Sequence, residues 1–443
     1  MLLEPLNHWV LTELPRLNRS ILAGAKPPGT LVAEFSRSVL ADLPPPEELD
    51  PADARRLTVL LGLSGSCVAR HFQEEDLSRK ARPRESFAAL RAGSCGIPFP
   101  DYFARLTRTT RTGHPARDCY ASLVRWNVPT IEVRIGGGPV VSVLPGCFAD
   151  LRVRTYTGDP SEVSFFELLK KSEALELAAN QALAPIADGD VHILSAEAER
   201  RTRLATALLL DVAHLNHDFA KRPPDRGGLR PGHFMDVFRQ FAVHWERGDV
   251  PPSGAQDPEF HRRDFLLGIA FPDYDTHIRR NFPAMLDEER RTLTALMGRP
   301  SLTAALLEAL GLDDATLEAM TFEQTRAALR RHPMLGAWYC LLNANAKVGA
   351  VHLMLAEKYL FKPQHIRDTT GVGDRPLVSN RTGTTGMDEP MLVRLARARQ
   401  RHALRRFGPP TVRRPDRSLL NAPDLEDTRP GFTADVTLVG SRS

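Results

Sequence analysis

Three places in the sequence carry residue types and spacings that can do chemistry. The first is His352. Trp338, Leu341, Ala344, Val348, His352, Leu355 and Tyr359 recur every three or four residues and so share one helical face. An imidazole set into such an apolar stripe is either a packed core side chain or the axial ligand of a haem buried between helices. Periodicity alone leaves both open. The second is Gly232-His-Phe234-Met-Asp-Val-Phe238-Arg239-Gln-Phe-Ala-Val-His-Trp245. Arg239 stands among Phe238, Phe241 and Trp245, and a guanidinium in apolar surroundings needs an anionic partner. That partner is either a protein carboxylate or the carboxylate of a ligand gripped by the guanidinium fork. The third is the loop Gly383-Thr384-Thr385-Gly386, whose glycines suit unusual backbone angles and close approach to a ligand.

Other groups are weaker. His214 and His217, followed by Asp218, have the i, i+3 spacing of a helical metal pair. A di-iron bundle would also need inward glutamates in a repeated Glu-x-x-His, and none is found, so a solvated helix end is the alternative. His261-Arg-Arg-Asp264 and His277 read as surface. Gly136-Gly-Gly138 is followed by a strand-like run rather than a helix, which makes it a hairpin tip and not a phosphate loop. Serine-hydrolase, Walker and dinucleotide fingerprints are absent.

These residues must be positioned by a mainly α-helical chain. Residues 1–125 read as a smaller N-terminal helical part, with Asp50-Pro51 at one helix start. Residues 126–160 read as a linker carrying a short β-hairpin, Thr130–Ile135 and Pro139–Leu144, with Arg152–Tyr156 as a further strand. Residues 161–407 read as a helical bundle with helices at Ser164–Leu183, Glu197–Phe219, Gly232–Trp245, Asp287–Met297 and Leu302–Gly311, the His352 helix, and a closing helix from Met387 to Phe407. Thr321 opens with a capping pattern. Residues 408–443, rich in Pro, Arg and Asp, read as a loosely ordered tail.

Composition limits the function classes. Net charge is +4, from 58 basic and 54 acidic residues. This mild excess, with no basic strip interleaved with aromatics, gives no reason to expect nucleic acid. No apolar run reaches membrane-spanning length, and the N-terminus lacks a signal-peptide layout. Cys67, Cys95, Cys119, Cys147 and Cys340 are scattered and form no C-x-x-C pair, which fits a reducing cytoplasm rather than disulfides or zinc. Without C-x-x-C-H, any haem would be held non-covalently.

His352-Leu-x-x-x-x-Lys358-Tyr359, followed after a linker by Gly-Thr-x-Gly, resembles the C-terminal signature of the indoleamine 2,3-dioxygenase superfamily of haem proteins. Phe234-x-x-x-x-Arg239 and the Phe165-Phe166 pair match further elements of that superfamily, and Ser253-Gly-Ala-Gln256 is similar to its small-residue loop. Trp126-Asn127, Arg154-Thr-Tyr156-Thr157-Gly158 and His352-Leu-x-Leu-Ala-Glu bring the chain nearest to the monodechloroaminopyrrolnitrin synthase family. The resemblance spans about residues 55–407 and implies an indoleamine 2,3-dioxygenase-like helical bundle holding haem b, with His352 as the iron's protein ligand. It implies an aromatic amino-acid substrate and dioxygen, with an external electron donor also possible. Arg239 would hold the carboxylate, and Phe234 and Phe165 would pack on the ring. Tyr359, one residue out of register, and the Gly383, Thr384, Thr385 and Gly386 loop would complete the substrate site, with Thr384 as its catalytic hydroxyl. The expected activity is oxidation or oxidative rearrangement of tryptophan or a relative in secondary metabolism. Tryptophan 2,3-dioxygenase-type ring cleavage and a non-catalytic haem sensor or carrier are the alternatives. One departure bears on the first alternative: the superfamily's distal serine falls near Leu169, an apolar residue.

Overall fold

The computed structural model describes residues 3–112, 117–371, 377–379, 387–407 and 433–440. The chain is mainly α-helical with two small sheets. No helix among the described residues is long and apolar enough to cross a membrane.

Three long helices build the frame around the candidate residues. Pro160–Ala187 starts where Asp159 accepts a hydrogen bond from Ser161 N at 2.8 Å, with Pro160 in the first turn, where its missing N–H costs nothing. Ala196–Lys221 is capped by Ser195, which accepts from Ala198 N at 3.1 Å, and has Glu197 and Glu199 in its first turn. Pro333–Ala356 runs without a break through a π turn, Glu357–Phe361, into Lys362–Thr370. Gly371 ends that run with φ +65°, a left-handed conformation that glycine adopts freely. The first two helices pack on one another, and Pro333–Ala356 packs on Ala196–Lys221.

The hairpin forms as expected. Strands Arg91–Ala92 (β1) and Ile97–Pro98 (β2) make a minor ribbon, while β3 (Thr130–Ile135) and β4 (Val140–Leu144) are antiparallel across the Gly136-Gly137 turn. Ile131 and Val133 are fully buried toward the Pro160–Ala187 helix. The expected strand at Arg152–Tyr156 does not form. Arg154 there is buried and directs its guanidinium to Asn7 and Asp150 instead of joining a sheet.

Part of the expected loose tail is ordered strand. β5 (Ala434–Val439) pairs with the free side of β3, giving the order β4-β3-β5. The buried carboxylate of Asp211 anchors its start by accepting from Thr433 N at 3.2 Å and Ala434 N at 2.8 Å. Pro, Arg and Asp upstream of 433 hid a short period-two run that completes the sheet.

One buried cluster runs from Leu6 through Phe99 to Tyr359 and Leu395; a second gathers Leu175, Leu208, Trp338 and Leu341. Their seam crosses the long helices. Phe166, Phe219 and Tyr359 belong to the first cluster, and Val212 and Val348 to the second.

Candidate functional site: a cavity at the seam of the two cores

A cavity of about 1370 Å³, counting its open mouth, lies at this seam. His352, Phe165, Phe234, Arg239 and Tyr359 all line it, as do Leu169, Ser253 and Gly254. Residues drawn from nearly two hundred positions of sequence thus meet in one place. Gly383, Thr384, Thr385 and Gly386 lie outside the described residues. Just before them, Val378 N and Ser379 N donate to Gln240 Oε1 at 2.8 and 2.9 Å, tying that segment to the residue next to Arg239.

The apolar stripe of the Pro333–Ala356 helix divides in two. Trp338, Leu341 and Ala344 are core, while Val348, His352 and Leu355 face the cavity. His352 is partly exposed toward the cavity and forms no hydrogen bond to a described residue; its ring meets Phe260 edge-on at 5.8 Å. Desolvation, with Arg399 and Arg263 nearby, pushes its pKa down to about 4. The imidazole is therefore neutral at pH 7, the form that binds a metal.

Three wall segments are π turns: Ala121–Arg125, His233–Phe238 and Glu357–Phe361. The sequence predicts an α-helix over 232–245; the structure has the π turn followed by a 3-10 turn, Arg239–Phe241, and the helical run stops at Ala242. The difference matters for aim. Arg239 N donates to Phe234 O, closing an i→i+5 turn that is wider than an α-helical one. An α-helix would set residues five apart about 140° from one another; the wider turn narrows that angle, and both side chains line the cavity. Arg70 braces the segment from outside, donating to Val237 O at 2.8 Å with its guanidinium 4.2 Å from the Phe241 ring centre. The Phe165 ring lies 5.3 Å from those of Phe234 and Phe238, and Tyr359 lies 6.1 Å from Phe234.

Arg239 is 7% exposed and has no carboxylate partner among the described residues. One guanidinium nitrogen meets only Met235 Sδ at 3.4 Å, and Nη2 has no partner. Burial alone pushes its pKa down to about 10, so it stays charged at neutral pH. A structural salt bridge is thereby ruled out among the described residues. Tyr359 Oη is likewise buried without a partner among the described residues, and burial pushes its pKa up to about 12.

No protein-family model matches this sequence, and no curated protein matches it.

The residues fit haem, the cofactor the resemblance implies. The cavity is walled mainly by aromatic and aliphatic side chains, and it presents one neutral, unengaged imidazole. A haem iron needs a single protein ligand, so the lack of any described group of three or more His, Cys, Asp or Glu residues is no obstacle. His214 and His217 do not line the cavity; it is Val212, Asn216 and Phe219 of that helix that face it.

The expectation that His261-Arg-Arg-Asp264 is surface is wrong. His261, Arg263 and Asp264 are fully buried behind Phe260. Arg399 donates to Asp264 through Nε at 3.0 Å and Nη2 at 2.5 Å; Tyr274 Oη donates to Asp264 at 2.8 Å; Arg263 pairs with Glu176. The charge pattern looked solvated because its partners lie 87 and 135 residues away. Sequence reasoning also missed Glu176, Asp257, Ser172 and Asn216, all cavity-lining. Ser172 and Glu176 carried a signal: they fall three and seven residues after Leu169, on the same helical face.

Proposed function

We propose that this chain is a haem-dependent oxygenase of the indoleamine 2,3-dioxygenase superfamily, nearest the monodechloroaminopyrrolnitrin synthase family, acting on tryptophan or a related aromatic amino acid. The observation that carries the proposal is Arg239: a buried, charged, unpartnered guanidinium beside an aromatic cage and on the same cavity as a neutral, unengaged histidine. Haem b, bound through His352, would supply dioxygen activation. Arg239 would take the substrate carboxylate in a charge-assisted hydrogen bond. Phe165 and Phe234 would pack on its ring and exclude water. Tyr359 Oη, lacking a protein partner, would donate to a polar atom of the substrate. The superfamily's distal serine falls near Leu169 in the sequence, and a hydrocarbon at that position favours oxidative rearrangement or another oxidation over ring cleavage of the tryptophan 2,3-dioxygenase type.

A second reading rests on the same arginine. Arg239 is the one cationic side chain among the described lining residues, and a haem brings two propionates of its own. In a haem carrier or sensor, Arg239 would hold a propionate and no amino acid would bind. The test is an optical titration of the haem-loaded chain with tryptophan and its halogenated forms, with oxygen uptake followed in parallel. A saturable shift of the Soret band with substrate-dependent oxygen uptake supports the oxygenase. A Soret band that no aromatic amino acid perturbs supports the carrier.

A further inference from the structure

One buried acid faces the cavity with half of its hydrogen-bonding capacity unused. Glu176 follows Leu169 by seven residues and Ser172 by four on the Pro160–Ala187 helix, so the three share a face, and all three line the cavity. Glu176 is 3% exposed. Arg263 donates to Oε1 and so fixes the carboxyl, while Oε2 has no partner among the described residues. The other polar groups on this wall are engaged. Ser172 Oγ accepts from Asn216 Nδ2 at 3.1 Å, and Asp257 Oδ1 caps the Pro258–Leu267 helix through Glu259 N at 2.9 Å. Arg263 does not fully neutralise Glu176, because its second nitrogen also faces Asp264 at 3.7 Å. Glu173 on the same helix, Asp257 and Asp264 on the neighbouring one, Arg399 from the Glu389–Gln400 helix, and His352 complete the charged and titratable surroundings. Burial of the charged form, opposed by Arg263, pushes the Glu176 pKa up to about 7.

We propose that Glu176 holds a proton at Oε2 and gives it to the ligand bound in this cavity. The carboxyl O–H bond breaks and a bond to hydrogen forms on an oxygen or nitrogen of the ligand. No electrons are exchanged, the carboxylate stays paired with Arg263, and the proton is regained from solvent when the product leaves. The identity of that ligand rests on the oxygenase reading above, whereas the proton on Oε2 does not.

The experiment uses the full chain and Glu176→Gln, which can still accept from Arg263 through its side-chain oxygen. Infrared difference spectra of the cofactor-free proteins near pH 6.5 should show a protonated-carboxyl carbonyl band that is absent from Glu176→Gln and shifts when tryptophan is added. After haem loading, Glu176→Gln should lower kcat roughly a hundredfold, the low end for general acid catalysis. KM should change less than about twofold, and the fall in activity above about pH 7 should disappear. Glu176→Asp keeps the charge but retracts it, and should recover part of kcat. A carbonyl band missing from the wild type, or the same band in Glu176→Gln, would overturn the proposal, whereas a band unmoved by tryptophan in a chain that binds tryptophan would overturn the proton transfer. So would a Glu176→Gln enzyme with unchanged kcat and pH profile. If the chain takes up no haem, it is the oxygenase reading that fails, and the infrared comparison alone decides the role of Glu176.

Discussion

Arg117 and Arg239 are both buried guanidiniums, and they approach the same stretch of chain in opposite states. Arg117 donates to Asp118 Oδ1 at 2.8 Å, Asp249 Oδ2 at 2.9 Å and the Val243 carbonyl at 2.9 Å. Against the desolvation that opposes it, Asp249 and Asp118 hold its pKa above the ordinary value. Arg239, six residues before Trp245, meets only a methionine sulfur among the described residues, and burial depresses its pKa. A buried cation held by two carboxylates serves the fold, whereas one that meets no carboxylate among the described residues and faces a cavity is a candidate for binding a ligand.

The comparison breaks if the two arginines respond alike to loss of their surroundings. Asp249→Ala should produce the largest effect. It leaves Arg117 half-paired and removes the acceptor for Trp245 N, and breaking a buried pair costs about 3–5 kcal/mol. Arg239→Leu removes an uncompensated buried charge, so urea unfolding of the cofactor-free chain should find it as stable as wild type or more so. A cost comparable to that of Asp249→Ala would make Arg239 a structural residue.

Ligand binding sharpens the contrast. A hydrogen bond to a charged group contributes about 1.5–3 kcal/mol, so Arg239→Leu should weaken tryptophan binding roughly ten- to a hundredfold while haem content stays the same. Equilibrium dialysis with labelled tryptophan reads the first quantity, and pyridine haemochrome absorbance reads the second. Loss of haem with no change in tryptophan affinity would move Arg239 to a propionate and favour the carrier.

The smallest effect concerns the hydrogen-bonded network behind the cavity. His261 donates through Nε2 to Ala255 O at 2.8 Å and contacts Tyr274 Oη at 2.9 Å; desolvation pushes its pKa down to about 4. The unfolded chain takes up this proton near pH 6.5 and the folded chain only near pH 4, so stability should be lost as pH falls through that window. In His261→Gln, the pH dependence of the urea midpoint between pH 6.5 and 4 should flatten by about one proton. An unchanged slope would place His261 in contact with solvent.

How far the sequence reveals this site depends on the range of the interactions involved. The stripe holding His352 was legible because helical periodicity is local. Phe234 and Arg239 were legible as a pair, but their alignment was not. It depends on a π turn braced by Arg70, more than a hundred and sixty residues away. The burial of Arg263 and Asp264 was illegible for the same reason, since a charged tetrapeptide reads as solvated until Glu176 and Arg399 are known to lie against it. The period-two run of β5, Ala434-Asp-Val-Thr-Leu-Val439, was missed because the polar tail before it concealed both the run and its place beside β3.

The central claim, that this cavity holds haem through His352, is tested most directly by reconstitution. Purified cofactor-free wild type and His352→Ala are each titrated with haem and followed through the Soret region, with circular dichroism to confirm that both are folded. The account predicts a sharp, saturable Soret band at one haem per chain in the wild type, and sub-stoichiometric or weak binding with a displaced band in His352→Ala. Identical titrations for two folded proteins, or no saturable band in the wild type, would contradict it.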